Sequence, residues 1–381
     1  MSKNGRKRVT LGDVAAKAGV SVATASVAIT GKPSGNCRVS PAVAERIRKT
    51  ARLLNYRPNI QARSLSTQRT QSIAMLVKRC NWRNAMFYLA SAQRVLRQNG
   101  YTEIFFMHQE DELESERQHI EMCLDRRVEG ILVMPVIDQA GQTNASLLNQ
   151  IQRDEGIPVV QVGIALPQCD GPAVLADDAD GTAQAVRHLH ELGHQQIAHY
   201  ALPGFDDTSA HSAHRPAHER YSGYLRAMQE LSLSPRLIAP PLQNLPDELR
   251  FETALRVGRD LAEDFDQPTA IVAGSDVEAA GLMAAFHEIG VRVPRQISVI
   301  GLGDEEFARM ARPALSTIAP PLEQMGQCAT EMLLSIIAGG EGQSIALPPT
   351  LVLRDSTGPA YQPPRERVTF DHHEMLIDDR R

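Results

Sequence analysis

VTLGDVAAKAGVSVATASVAIT, residues 9–30, spells a helix, a tight turn and a second helix. Thr10 can cap the first helix, and Asp13, three residues on, can return a bond to the Thr10 amide. Leu11, Val14, Ala15 and Ala18 share one apolar face. Gly19 falls where a helix stops in the left-handed conformation. Ser21 can cap a second helix over residues 22–29. Ser40-Pro41 predicts the start of a third, because a proline in the first turn has no hydrogen bond to lose. Val43, Ile47, Ala51 and Leu54 then fall on one stripe. The pattern predicts a helix-turn-helix unit whose second helix can enter a DNA major groove while the first crosses the backbone.

Charge points the same way. Residues 1–69 hold 14 Lys/Arg against two acids, Asp13 and Glu45, a balance of +12. The other 312 residues carry −17, so the chain's net −5 conceals a basic head on an acidic body. Such a head suits a polyanion, the alternative being a basic surface without a partner.

From residue 71 onward the pattern changes. Short apolar runs (Ile73–Val77, Ile104–Met107, Ile131–Met134, Val159–Val162, Ile197–Tyr200, Ala270–Ala273, Ser298–Ile300) alternate with segments of helical spacing such as Met86–Gln98, Ser115–Leu124, Ala183–Leu192 and Glu278–Ile289. Runs apolar on both faces predict buried parallel strands. Gly100, Gly193, Gly290 and Gly339 stand where helices should stop. Alternating strand and helix predict a doubly wound α/β body, and its length predicts two such layers. The segment 359–381 is Pro-rich and then charged, which predicts a mostly disordered tail.

Composition limits what else the chain can do. It is 43% hydrophobic and 22% charged over 381 residues, which excludes a fibrous or largely unfolded protein. No apolar run nears the ~18 residues of a membrane span. The first residues are charged without an apolar core behind them, so no secretory signal is read and a cytoplasmic location is expected. Cys37, Cys80, Cys123, Cys169 and Cys328 are scattered with no CxxC pair, which predicts reduced thiols. His211, His214 and His218 cluster beside Glu219, but no Cys or Asp spacing supports a metal, so a solvated or ligand-lining loop is expected and no cofactor. TGKPSG lacks the flanking residues of a phosphate loop, GLGDEE lacks a third glycine, and no GxSxG occurs. With no nucleophile–base set, the chain is not read as an enzyme.

The first stretch, together with VSPAVAERIRKTARLLNYRPNIQARSL, resembles the DNA-binding head of the LacI/GalR family of bacterial regulators. The resemblance continues in order through DDADGTAQAVRHLHELGHQQIAHYA, ERYSGYLRAM, AGSDVEAAGLMAAFHEIGVRVPRQISVIGLGDEEF, RPALSTIAPPLEQMGQCA and LPPTLVLRDST, to about residue 358. It implies a helix-turn-helix head over 1–58, a hinge and linker over 59–70, and a type I periplasmic-binding-protein-like body over 71–358. That body would be two α/β subdomains of parallel sheet with an effector cleft between them. It also implies a repressor that binds a palindromic operator in double-stranded DNA as a homodimer or higher oligomer. A small-molecule effector, sugar-like or another polar metabolite, would modulate it.

By resemblance, Val22, Ala23 and Val27 match the exposed face that reads bases. Thr10, Ser21, Thr24 and Ser26 match positions that cap, contact phosphate or pack nearby, and Asn55, Tyr56 and Arg57 match the turn before the hinge. Ala62, Arg63 and Leu65 match the hinge helix, with Leu65 as the minor-groove wedge that kinks DNA or, alternatively, an ordinary packing residue. In the body, Arg220 and Asp276 match effector-binding positions, and Met86 and Phe87 match positions that touch effector or pack. Arg220 and Asp276 could equally form an internal salt bridge.

Some residues depart from the family pattern. Val22, Ala23 and Val27 cannot make bidentate bonds to bases, so readout through thymine methyls and DNA shape is expected. Ala25 stands where Val is usual, Gly303 where an acid is usual, Leu302 where an aromatic is usual, and Ala85 where Pro is usual. The loop 30–38 is longer than usual, with Lys32 and Arg38 available for phosphates. These departures admit a regulator of the same fold that has lost its effector. A solute-binding protein is the third reading, against which the head itself argues.

Overall fold

The computed structural model describes residues 9–30, 39–57, 69–78, 82–108, 112–138, 141–206, 215–239, 249–262 and 268–361. The chain divides into two compact units, Met1–Gln71 and Ser72–Arg381.

The first unit holds α1 (Leu11–Ala18), α2 (Val22–Thr30) and α3 (Pro41–Leu53). The capping box forms: the Thr10 amide donates to Asp13 (2.8 Å) and the Asp13 amide to Thr10 Oγ1 (3.3 Å). Gly19 is left-handed (φ 65°), which turns the chain into α2, where Ser21 Oγ accepts from the Thr24 amide (3.1 Å). Ser40 precedes α3 without a side-chain cap. The core is Val14, Ala15, Ala18, Ala25, Ala28, Ala44, Ile47 and Ala51, with Val43 and Leu54 at its margin. So many alanines let three short helices approach closely, at the cost of little apolar area per contact.

The second unit contains two six-stranded sheets, which we call lobes. In the first lobe the order is β11-β5-β4-β3-β1-β2, all parallel. Its strands are β1 (Ser72–Lys78), β2 (Thr102–His108), β3 (Gly130–Val133), β4 (Val159–Val162), β5 (Ala173–Ala176) and β11 (Ile345–Leu347). Helices α4 (Trp82–Gln98), α5 (Leu113–Asp125), α6 (Ala145–Gln150, continued by a π turn to Glu155) and α12 (Leu322–Ile337) belong to this lobe.

The second lobe runs β12-β10-β9-β8-β6-β7, parallel except for β12. Its strands are β6 (Ile197–Tyr200), β7 (Arg236–Ile238), β8 (Ala270–Ala273), β9 (Ser298–Leu302), β10 (Ser316–Ala319) and β12 (Thr350–Val352). Helices α7 (Asp178–Glu191), α8 (Arg215–Glu230), α9 (Arg250–Ala262), α10 (Asp276–Glu288) and α11 (Glu306–Met310) belong to it. The chain therefore crosses between lobes three times, after β5, after β10 and after β11.

The seven expected strands are present, and Gly100, Gly193, Gly290 and Gly339 all have positive φ. Ile104–Met107 departs from expectation. It lies in β2 at the sheet edge, so Phe105 and Met107 are exposed rather than buried on both faces. The first residues of the expected tail are tied to the body, since the Ala360 amide donates to Leu192 O (3.0 Å). Residues 362–381 lie outside the described residues.

Candidate functional site

In the head, Val22 (52% exposed) and Ala23 face outward from the start of α2. Val27 does not, at 9% exposed, which corrects its expected place on the reading face. At about 100° per residue it stands about 40° round the helix from the exposed Ala23, so helical position alone does not account for its burial. Thr24 and Ser26 are half-buried, and Ser21 Oγ also contacts Thr24 Oγ1 (2.8 Å). Asn55 has positive φ and Arg57 is exposed, while Tyr56 is partly buried. Arg48 was missed by the sequence reading: its Nε donates to Ala28 O (3.1 Å) at the end of α2, where a cation suits the helix dipole. Ala62, Arg63, Leu65, Lys32, Arg38 and the thiols of Cys37 and Cys80 lie outside the described residues. Cys123, Cys169 and Cys328 are unpaired thiols.

In the body, a cavity of about 450 Å³ opens between the lobes at the carboxyl ends of the strands. Open α/β sheets place ligands there. Two of the three crossings run past it, at Ala176–Asp178 and Pro320–Leu322.

Arg220 and Asp276 both line this cavity, but they do not pair with each other. Arg220 Nε and Nη2 reach Asp178 Oδ2 (3.1 and 3.0 Å), and Nη1 donates to Gly274 O (2.8 Å). Asp276 is fully buried at the start of α10, accepting from the Glu305 amide (2.7 Å) and Thr317 Oγ1 (2.5 Å). Burial pushes its carboxyl up to about 6. Met86 (45% exposed) and Phe87 (38%) are not among the residues that line the cavity. They sit in the N-terminal half of α4, the helix that follows the carboxyl end of β1.

The sequence reading missed Asp178, Arg250, Ser275 and Glu278. Arg250 Nε donates to Glu278 Oε1 (2.5 Å) and Nη2 to Ser275 Oγ (3.1 Å). Gly301 carried an unread signal. A Cβ there would stand 2.2 Å from Asp276 Oδ1, so the strand must lack a side chain for the carboxylate to reach Thr317. Gly303, noted as a departure, has φ +136°, a conformation closed to the acid expected there, and it turns β9 towards the Glu305 amide.

His218 Nδ1 lies 3.1 Å from Phe205 O and its Nε2 3.3 Å from Ser222 Oγ; His211 and His214 lie outside the described residues. Among the described residues no group of three His, Cys, Asp or Glu could hold a metal ion. No single described helix is long and apolar enough to cross a membrane.

A model of bacterial regulatory proteins of the lacI family matches residues 10–59, and a periplasmic binding protein-like domain matches residues 186–357. The HTH-type transcriptional repressor PurR of Edwardsiella ictaluri is 31% identical over 352 residues, covering 91% of this chain and 96% of that protein. PurR of Vibrio atlanticus is 32% identical over 332 residues, 86% of this chain and 92% of that one. The lac repressor dimer bound to operator and the anti-inducer ONPF superposes with a TM-score of 0.73 at 26% identity, covering 92% of this chain and all of that one.

Proposed function

Since the chain belongs to the lacI family of bacterial regulatory proteins, we propose that it is a sequence-specific, DNA-binding transcriptional repressor that acts as a dimer on a palindromic operator. The observation that carries this reading is the head. A capped helix, a left-handed glycine and a second helix present Val22 and Ala23 outward on a unit of high positive charge. Phosphate contacts give such a head affinity and register, and the groove face gives specificity.

The reading assigns 1–58 to DNA, 59–70 to a hinge and 71–358 to effector binding and dimerisation. Val22 and Ala23 would pack on thymine methyls, and Arg57 would meet phosphate. Leu65 would wedge the minor groove. An effector in the cleft would favour one arrangement of the lobes and thereby alter the pairing of heads. The reading includes no catalytic step and places the protein in the cytoplasm. An effector-independent regulator is less well supported, because the cleft keeps both a cavity and charged walls.

Capture of genomic DNA bound by the full chain tests the function. A few sharp sites sharing a palindrome are expected, and uniform coverage would overturn sequence specificity. Leu65→Ala is expected to weaken binding to those sites while sparing non-specific binding, since it removes no charge; equal loss in both would refute the wedge.

A further inference from the structure

Lys78 ends β1 and lines the cleft from the first lobe. It is 8% exposed, and among the described residues its ammonium has neither a hydrogen bond nor a carboxylate within 4.0 Å. The acid on its own lobe that acts on it electrostatically is Glu116, which is already held by the Val136 amide (2.9 Å) and Asn144 Nδ2 (2.7 Å). Burial pushes the Glu116 carboxyl up to about 7, which favours its neutral form. Its neighbour His108 is held neutral, since burial pushes it down to about 4.

The opposite wall differs. Arg220 is matched by Asp178 and Arg250 by Glu278, while Asp276 is taken up by Thr317 and the Glu305 amide. Glu219 and Glu305 are engaged as well. Lys78 is thus the lining charge with no counter-ion in contact among the described residues. Burying such a charge is costly unless a counter-charge arrives.

The rest of the first-lobe wall is aliphatic, with Met134, Val162, Leu175, Leu322 and Met325. No Phe, Tyr or Trp is among the described lining residues, so the described walls offer a flat ring no stacking platform. One ammonium balances one negative charge, and a phosphate dianion would need further donors. We propose that the cleft binds a small aliphatic monocarboxylate, its carboxylate on the Lys78 ammonium and its hydrocarbon body against the first-lobe wall. This ligand class rests on reading the cleft as the effector site.

The test is calorimetric titration of the full chain with straight and branched monocarboxylates of about four to eight carbons, a size suited to the cavity. Each acid is paired with its primary amide and alcohol, and hexyl phosphate and glucose are included. At least one carboxylate is expected to bind, with its amide at least about tenfold weaker. Lys78→Met is expected to weaken that carboxylate at least about tenfold, and Lys78→Arg to retain most of the affinity. Without ligand, Lys78→Met is expected to raise the thermal midpoint of the body, because the unmatched charge is gone; a structural lysine would lower it.

The proposal is overturned if no carboxylate binds, if the best one binds no tighter than its amide, or if hexyl phosphate outbinds them all. It is also overturned if Lys78→Met keeps the affinity. Capturing DNA with the same protein separates the two readings. Lys78-dependent carboxylate binding that leaves DNA capture unchanged removes the effector reading and keeps the site. A DNA response to glucose alone keeps the effector reading and removes the carboxylate.

Discussion

The head and the cleft are held by bonds of very different reach along the chain. In the head, Thr10 meets Asp13 and Ser21 meets Thr24, each three residues apart, and the bond from Arg48 to Ala28 O spans 20. In the cleft, Arg220 reaches Asp178 and Gly274 across 42 and 54 residues, and Asp276 reaches Glu305 and Thr317 across 29 and 41. A local bond tunes a helix that packing would form in any case. A long-range bond in a buried wall fixes where separate strands end, and its loss leaves polar groups that water cannot reach.

That contrast sets an order of effects. Asp276→Ala should cost most, about 3–4 kcal/mol by denaturant unfolding of the body, because it orphans the Glu305 amide and the Thr317 hydroxyl. A cost under about 1 kcal/mol would erase the distinction between the regions. Arg220→Ala should cost about 3 kcal/mol, since Asp178 would keep a mostly buried charge without its partner.

A pH scan probes the same wall. Burial raises the Asp276 carboxyl to about 6, so the native form holds its proton more tightly than the unfolded chain. This contribution is full below about pH 4 and is lost as pH rises through about 6, and Asp276→Asn should remove that slope. Thr10→Ala should have the smallest effect, about 1 kcal/mol, and confined to the head. Calorimetry would show it as a shift in the head's transition with the body's unmoved. A shift in both would mean that the units do not unfold independently.

The same difference in reach explains what the sequence made legible. Capping boxes, glycine stops and helical stripes are local, so α1, α2 and the alternation of the body could be read from spacing. The burial of Val27 could not, because helical spacing sets it only about 40° from the exposed Ala23. Short strands such as β7 and β11, three residues each, carry too little pattern to stand out. Asp178 and Arg250 were not legible either, because nothing near them in sequence marks their partners. Arg220 and Asp276 were found only through resemblance, and the structure gives each a partner other than the one considered. Gly301 is the exception, a local signal for a distant contact, legible once Asp276 is known to press against it.

The three crossings between lobes have a consequence for synthesis. The first lobe lacks β11, and α12 to cover its sheet, until residues 322–347 have been made. On the ribosome, the wall that carries Lys78 therefore waits as an open-edged sheet while the whole second lobe up to β10 is translated. No contiguous fragment of this chain is a lobe. A premature stop between β5 and β11 releases an unfinished first lobe with a bare sheet edge, a substrate for chaperones and proteases rather than a half-working regulator.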